Sequence, residues 1–407
     1  MTPGMGNRRE FLLNGSKALL LLANSELAAS QGARARDSQS NRITLFLCGD
    51  VMLGRGIDQV LPHPSDPRIH ERGMSSALGY VELAERAHGS IPSPVDFSYV
   101  WGDALDEWER VAPDVRIINL ETSVTQSDDR MDKGINYRMH PRNVPCVTSA
   151  EINCCVLANN HVLDWGDAGL AETLKTLREA GVQSAGAGLD AEEAGAPAIM
   201  ELGGRGRVVV FAFGSVTSGI PLEWAASENN PGVNLLENMS RETVGRIARR
   251  VEAVKRSRDI VVVSIHWGGN WGYDIPPLQQ RFARQLIDEA SVDVVHGHSC
   301  HHVKGIEVYK GRPILYGCGD FLNDYEGISG YEKYRDDLVL MYFVSMDATE
   351  GRLTRLEMTP LRIMRLRLNL ASREAAVWLR DTLNREGSRL GTQVELQAEN
   401  TLALRWD

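Results

Sequence analysis

Short runs of β-branched and aliphatic residues recur along the chain, and several are separated by stretches with helical periodicity. Continuous Val/Ile runs such as residues 207–213 and 260–265 are typical of strands that are covered on both faces. Strands that alternate with helices predict an α/β architecture. We predict strands at residues 43–48, 115–119, 153–158, 207–213, 260–265, 292–295, 313–317, 338–346 and 355–363.

The predicted helices fall between these strands. Leu170, Leu174 and Leu177 form one apolar stripe, and residues 241–256 and 278–290 repeat such a pattern. The last strands follow one another without helices, which indicates a mixed sheet or a second sheet packed on the first. We therefore predict three segments: an extension at residues 1–40, a main domain at 41–365 and a helical appendage at 366–407, with a loop-rich insertion at residues 60–100.

The composition is that of a soluble globular protein. The 407 residues are 43% hydrophobic and 24% charged, enough for one large core or two smaller ones. The formal net charge of −10 argues against nucleic acid as a partner, because phosphate backbones are held by surplus Lys and Arg. This net charge is compatible with a small anionic substrate that binds through a cation. Six cysteines in a chain of this length do not indicate a disulfide framework.

The first forty residues differ from the rest. "NRREFLL" followed by "KALLLLA" has paired arginines and a short apolar stretch, and it resembles a twin-arginine export signal. Asn14, Lys17 and Glu26 interrupt the apolar stretch, so a disordered extension is the alternative. The motif predicts a periplasmic or cell-envelope protein, whereas the alternative is compatible with the cytoplasm.

Polar side chains follow the predicted strands where each one ends. Because ligands collect beyond the carboxyl ends of strands in open α/β sheets, these side chains are expected to converge. Their carboxylates, amide and imidazoles suit one divalent first-row metal ion, or two that share a bridging carboxylate. The residues are Asp50, Glu121, Asn159, Asn160, His161, His266, His296, His298, His301 and His302.

Longer motifs carry a family resemblance. The segments "CGDVMLGRGID", "INLETSVTQ", "LANNHVLDWGDAGLAETLKTLREAGVQSAGAG", "SIHWGGNW" and "DVVHGHSCHHVKGIEVYKGRPILYGCGDF" resemble the CapA-like, or poly-gamma-glutamate capsule-synthesis, proteins, in the family's order and from about Ile43 to about Arg365. The resemblance implies a calcineurin-like metallophosphoesterase fold, in which two packed sheets are flanked by helices in four layers (αββα).

The resemblance also implies roles for residues. It makes Asp50, Glu121, Asn160, His266, His298 and His301 metal ligands, with Glu121 as the bridging carboxylate. It makes His161 the histidine that stabilises developing charge. The metal would be Mn, Fe, Zn or Mg, as one ion or two.

This sequence departs from the family pattern at three places. Met52 stands where a phosphoesterase has histidine, which leaves the number of metals open. The signature Gly-His-His-Pro-His reads Gly-His-Ser-Cys-His here, so either His301 or His302 can face the metal, and His302 is a second catalytic candidate. Asp320 replaces the common asparagine of "SLGNF".

Two arginines and a tryptophan are candidates for contact with substrate. Arg55 and Arg138 can each pair with a phosphate or carboxylate, with Arg55 a catalytic candidate and Arg138 a binding one, or each can form a surface salt bridge. Trp267 can line a pocket beside His266, or belong to an aromatic core.

Three functions fit these features. The first is a metal-dependent hydrolase of capsule, poly-gamma-glutamate or other envelope-polymer biosynthesis. The second is a metal-dependent peptide epimerase of the lasso-peptide type, and the third is a non-catalytic component that binds a polyanion during assembly or export. The expected partners are an anionic small molecule, a peptide or polyglutamate, together with membrane components of capsule synthesis. The sequence leaves the oligomeric state open.

Overall fold

The computed structural model describes residues 41–407, and the predicted export signal lies outside this range. Residues 43–407 form one unit, so residues 366–407 are continuous with the main domain. The strands are β1 (Arg42–Val51), β2 (Arg68–Glu71), β3 (Met74–Ser76), β4 (Val115–Leu120), β5 (Ser123–Val124), β6 (Arg138–Met139), β7 (Cys154–Val156), β8 (Gln183–Ala185), β9 (Ala187–Gly188), β10 (Ala198–Glu201), β11 (Arg207–Ser215), β12 (Gly232–Val233), β13 (Leu235–Leu236), β14 (Ile260–His266), β15 (Val294–His298), β16 (Ile306–Tyr309), β17 (Arg312–Leu315), β18 (Asp320–Leu322), β19 (Leu338–Asp347), β20 (Arg352–Ile363), β21 (Leu368–Leu370), β22 (Thr392–Leu396) and β23 (Leu402–Trp406).

Helices separate the strands of the first three quarters of the described chain. They are α1 (Gly56–Val60), α2 (Leu78–His88), α3 (Ala104–Val111), α4 (Pro145–Ser149), α5 (Gly166–Glu179), α6 (Ala191–Gly195), α7 (Arg241–Val254), α8 (Pro277–Glu289) and α9 (Arg373–Gly387), with 3₁₀ turns at Tyr99–Trp101, Pro141–Asn143, Val216–Ser218, Leu222–Trp224, Glu332–Tyr334 and Ala398–Asn400. Within the described residues, no helix is both long and apolar enough to cross a membrane.

Two large sheets carry most of the strands. The first has ten strands in the order β22-β23-β20-β19-β1-β4-β7-β8, with β18 beside β1 and β21 beside β20. The second has seven strands in the order β10-β11-β14-β15-β17-β16, with β13 beside β11. The strands β1, β4, β7 and β8 are parallel, as are β11, β14, β15 and β17. All nine predicted strands are therefore confirmed, with boundaries shifted by a few residues.

Alternating side chains divide the interior into three apolar layers. Leu45 of β1 packs with Val262 of β14 between the two sheets, while the adjacent Phe46 packs against Trp108 of α3 on the outer face. On the far side of the second sheet, Phe211 packs with Phe282 of α8. Helices thus cover both outer faces of two stacked sheets, which confirms the predicted four-layer α/β fold.

The C-terminal residues complete the first sheet. β23 pairs with β20, and β22 pairs with β23, so the last strands lie at one edge of the sheet. Leu379 and Leu383 of α9 are buried in the layer between the sheets. The predicted helix at residues 366–407 exists, and the segment contributes to the main core.

Candidate metal centre

Strands from both sheets end at one buried cluster. Asp50 is the last residue but one of β1, and its register partners are Asn119 of β4 and Asp320 of β18. In the second sheet, His266 at the end of β14 is level with His298 at the end of β15. Because parallel strands bring their carboxyl ends to one edge, residues far apart in sequence meet there.

The first group of ligand atoms consists of Asp50, His266 and His298. Asp50 Oδ1 lies 3.9 Å from His266 Nδ1 and 3.7 Å from His298 Nδ1, and the two imidazole nitrogens are 2.8 Å apart. All three side chains are at most 1% exposed. One ligand atom from each residue lies within 4.8 Å of the others, a spacing that a single cation can span.

The second group shares Asp50 with the first. It adds His301 and Asp320, whose Nδ1 and Oδ1 atoms are 2.7 Å apart. Asn323 donates to the other Asp320 oxygen at 2.8 Å and so fixes the orientation of the carboxylate. Two groups with one common carboxylate are the arrangement expected of a site for two cations.

Glu121 and Asn160 extend the first group. Glu121 Oε1 lies 3.9 Å from His266 Nε2, and Asn160 Oδ1 lies 2.8 Å from the same nitrogen. Glu121 Oε2 is buried and has no hydrogen-bond partner among the described residues. An unpaired buried carboxylate oxygen is costly, and a coordinated metal ion is the usual compensation.

The charges of these groups fit a divalent cation. Burial, followed by the nearby carboxylate of Asp320, raises the pKa of Asp50 to about 7, and burial followed by Asp50 raises the pKa of Glu121 well above its usual value. Burial lowers the pKa values of His266 and His298 well below their usual range. Neutral imidazoles are metal ligands, and crowded carboxylates lose their mutual repulsion when a cation lies between them.

A pH prediction follows for protein stripped of metal with a chelator. Above about pH 7.5, one unit above the ordinary histidine pKa, His266 and His298 are neutral in both the folded and the unfolded state. The carboxyl groups with raised pKa values then determine how the free energy of unfolding changes with pH. A folded-state pKa that is raised contributes stability that is lost as the pH rises. We expect the free energy of unfolding to fall by about 1.4 kcal/mol per pH unit for each proton that only the folded state retains.

The measurement is thermal unfolding between about pH 7.5 and about pH 8.5, with chelator and with added Mn²⁺. The raised pKa of His301, which the carboxylate of Asp320 produces against the opposing effect of burial, acts in the same direction. Added Mn²⁺ is expected to raise the melting temperature most at the alkaline end. A flat profile in the chelated protein would contradict the crowding of Asp50 and Glu121.

His161 lies beside the two groups and is held by different partners. Its Nδ1 is 2.7 Å from Asp164 Oδ2, and its Nε2 points toward Glu121 Oε1 at 3.7 Å. The ring of Tyr137 meets the imidazole edge to face at 4.6 Å. Burial lowers the pKa of His161 to about 4, so at neutral pH Nδ1–H is donated to Asp164 and Nε2 carries the free lone pair.

Comparison with known proteins identifies the family. Residues 44–325 match the sequence model of the family described as bacterial capsule synthesis protein PGA_cap, which covers more than half of the 407 residues. The chain belongs to the PGA_cap family.

Relatives and a solved structure extend this result. The PGA_cap chain is 48% identical over 362 residues to a Mycobacterium tuberculosis protein described as "Probable polyglutamine synthesis accessory protein", covering 88% of this chain and 95% of that one. It is 25% identical to the "PGA biosynthesis protein CapA" of Bacillus subtilis, covering 88% and 81%. A crystal structure of a Mycoplasma pneumoniae phosphatase superposes with a TM-score of 0.44 at 10% identity, covering 79% and 94%.

The two consecutive histidines of this PGA_cap protein have different surroundings. His301 faces Asp320, whereas His302 accepts from the backbone N–H of Gly272 at 3.1 Å and donates through Nδ1 to the carbonyl of Val303 at 3.1 Å. The His302 ring also stacks on Tyr334 at 4.7 Å. The structure thus places His301 in a ligand group, while both nitrogens of the predicted catalytic candidate His302 are used in loop contacts.

A substitution pair distinguishes these two histidines. His302→Phe keeps the stacked ring and loses two hydrogen bonds, so we expect unchanged metal content and a loss of about 1–3 kcal/mol in the free energy of unfolding. His301→Phe is expected to lower the metal content instead. Elemental analysis and urea unfolding check both results, and metal loss in His302→Phe would reverse the two assignments.

Arg55 is predicted either to contact substrate or to form a salt bridge, and the structure places it in an internal ion-pair network. Its guanidinium pairs with Glu71 at 3.0 Å and with Asp324, and it lies between the rings of Tyr80 and Tyr137 at 3.9 and 4.6 Å. The side chain is 2% exposed. Arg55 therefore contacts the metal-ligand residues only indirectly, through Tyr137, whose ring packs against His161.

Removal of this guanidinium is expected to destabilise the fold. Arg55→Met leaves the carboxylates of Glu71 and Asp324 buried without their partner, and breaking a buried pair in this way costs about 3–5 kcal/mol. Urea unfolding measures the loss. The matched control is Arg68→Ala, because Arg68 pairs with Asp66 on the surface, and its removal is expected to have no measurable effect. Equal stability of the two variants would contradict the network.

The other two predicted substrate contacts lie outside the ligand groups. Arg138 bonds the carbonyl of Ser127 and the carboxylate of Asp128, and its guanidinium covers the ring of Trp165 at 3.9 Å. Trp267 is 2% exposed, and its indole N–H donates to the carbonyl of Tyr316. The structure thus gives Trp267 the aromatic-core environment that was its alternative.

Four residues of the site have no assigned role in the sequence interpretation, and one of them is Asp164, which holds His161. Asp320 was noted as a departure from the family, and it now belongs to the second group. Asn119 donates to Asp50 at 2.7 Å, and Lys133 contacts Asp164 at 2.6 Å. Asn119 lies near the end of β4, two residues before Glu121, so the strand-end pattern that predicts the other site residues could also have indicated Asn119. Lys133 lies in an irregular segment, so no periodicity indicates its position.

Proposed function

We propose that this PGA_cap protein is a metal-dependent hydrolase of an anionic cell-envelope polymer or of its precursor. The observation that carries this proposal is the pair of buried ligand groups that share Asp50. One of them contains two imidazoles and the other contains two carboxylates, a donor set for divalent first-row metals. When bound, such cations polarise the bond to be broken and activate water.

The protein's own residues divide the remaining tasks. Asp50, Glu121, Asn160, His266 and His298 would hold one cation, and Asp50, His301 and Asp320 would hold a second. Asp164 holds the Nδ1–H of His161, which leaves Nε2 free to accept a proton from water and later to return it to the leaving group. A buried aspartate behind the imidazole stabilises the protonated form of the ring.

The substrate class rests on the relatives. Two Bacillus relatives are described as "PGA biosynthesis protein CapA" and "Capsule biosynthesis protein CapA", and the Mycobacterium relative as a polyglutamine synthesis accessory protein. We infer that this chain acts in synthesis of a related polymer, with membrane-bound synthesis components as partners. The twin-arginine-like segment supports an envelope location for this work.

The test combines metal analysis with two chemical assays. Purified protein is analysed for metal, loaded with Mn²⁺, and incubated with an aryl phosphate and with oligo-γ-glutamate. Release of phosphate or of shorter oligomers supports hydrolysis. The same incubation in deuterated water detects the epimerase alternative, because epimerisation exchanges the Cα hydrogen.

Three results would contradict the proposal. Deuterium incorporation without hydrolysis would replace it by the epimerase function. Binding of oligo-γ-glutamate without any reaction would replace it by the polyanion-binding function. Protein that takes up no metal under any loading condition would exclude both enzymatic functions.

A further inference from the structure

One cationic side chain reaches the candidate centre and has no assigned task. Lys133 Nζ lies 2.6 Å from Asp164 Oδ1 and 3.3 Å from His161 Nδ1, and it also donates to the backbone carbonyl of Asn160. These contacts touch two consecutive residues of the centre. The Lys133 side chain is 27% exposed, whereas the side chain of its partner Asp164 is fully buried.

The ammonium group has a donor to spare. An ammonium group carries three N–H bonds, and Asp164 and the Asn160 carbonyl accept two of them. His161 Nδ1 is not a third acceptor, because it donates its own hydrogen to Asp164. Within the described part of the chain, the third N–H of Lys133 therefore has no oxygen acceptor.

An anionic substrate needs a positive charge at this centre. Asp50, Glu121, Asp320 and Asp164 are all buried carboxylates, and they would repel an anionic substrate. Of the two arginines considered for substrate contact, Arg55 is paired with two carboxylates and Arg138 contacts Asp128 outside the groups. The positive charge of Lys133 acts on Glu121, His161 and His266 together.

We propose that Lys133 binds an anionic oxygen group of the substrate, a carboxylate or a phosphate, beside the imidazole of His161. This assignment rests on the proposed function and adds to it the residue that selects for a charged substrate. Lys133 lies between β5 and β6 in a segment without regular secondary structure, and its flexible stem lets the ammonium group shift toward a ligand without moving a strand. The ring of Trp224, with its centroid 5.3 Å from Nζ, adds a cation–π contact to this charge.

The experiment must separate ligand binding from the pairing of Lys133 with Asp164. Lys133→Gln alone would leave Asp164 buried without its partner, so the informative comparison is Asp164→Asn against the double variant Lys133→Gln/Asp164→Asn. Both lack the buried carboxylate, and they differ only at Lys133. Lys175→Gln on the exposed face of α5 is the control for the loss of one positive charge.

Binding of inorganic phosphate and of glutarate is measured by calorimetry on the full, Mn²⁺-loaded protein, and metal content is measured for each variant. We expect Asp164→Asn to bind at least one probe as tightly as the unmodified protein, or more tightly. The double variant is expected to bind that probe about 10- to 100-fold more weakly, as for loss of a hydrogen bond to a charged group. Preference for glutarate assigns a carboxylate, and preference for phosphate assigns a phosphate.

Equal affinity of the two Asp164 variants would overturn the assignment, as would the absence of binding of both probes to the unmodified protein. Loss of metal in the double variant alone would overturn it too, because Lys133 would then be a structural residue. Unmodified protein that takes up no metal would instead overturn the proposed function. The two failures are therefore distinguishable.

Discussion

Asp50→Ala is expected to abolish retention of divalent metal, because Asp50 belongs to both ligand groups. Removal of a hydrogen-bonding partner behind a metal ligand typically costs 10- to 100-fold in affinity, so loss of a shared ligand should cost at least about 100-fold. Asp50 also accepts hydrogen bonds from Asn119 and from the backbone N–H of Ser299, which hold the carboxylate in one orientation. Elemental analysis after dialysis and calorimetric titration with Mn²⁺ measure the effect.

A buried histidine near the centre provides the control. His296 lies on β15 two residues before His298, but its nitrogens bond Ser264 and the carbonyl of Cys48. His296→Gln is therefore expected to keep its metal. Normal metal content in Asp50→Ala would show that the carboxylates and imidazoles at these strand ends do not form the proposed centre.

His161→Ala is expected to keep its metal and to lose turnover. The imidazole is held by Asp164 and not by the ligand groups, and its Nε2 is the nitrogen free to transfer a proton. Loss of general acid–base catalysis lowers kcat by about 10²- to 10⁴-fold. The measurement is kcat on the substrate identified by the hydrolysis assays, together with metal content.

Asp164→Asn tests the pairing of His161 with Asp164 by changing the carboxylate in place of the imidazole. The amide can keep a hydrogen bond to the imidazole but cannot stabilise its protonated form, so kcat is expected to fall while metal content stays normal. His266→Ala supplies the contrast, because His266 lies in the first ligand group and its loss should reduce metal content. Equal metal loss in His161→Ala and His266→Ala would contradict the division of roles between them.

The sequence predicted the core strands and most of the centre for one physical reason. The Val/Ile runs of β11 and β14 reveal strands that are buried on both faces, and the polar residues that follow them must lie at the edge of the sheet. Asp50, His266 and His298 follow from that pattern together with the family motifs. Short strands such as β8 and β18 have too few residues for a periodic signal.

Side-chain pairing was beyond sequence reasoning. Nothing in the sequence near Arg55 indicates that Glu71 and Asp324 neutralise it, because those partners come from a hairpin and from a loop after β18. His301 and His302 are neighbours in sequence, and only the course of the backbone separates the group near Asp320 from the stack on Tyr334. Charge type was predictable at these positions, whereas the choice of partner depended on tertiary contacts.

The position of β22 and β23 at the edge of the first sheet has a consequence for how the protein folds during its own translation. During translation, β20 leaves the ribosome before β22 and β23, so the part of its outer edge that β21 does not cover stays unpaired until those strands emerge. Unpaired edges invite association between chains. A premature stop codon that removes only residues 392–407 would therefore leave every ligand residue intact and still yield a protein prone to aggregate.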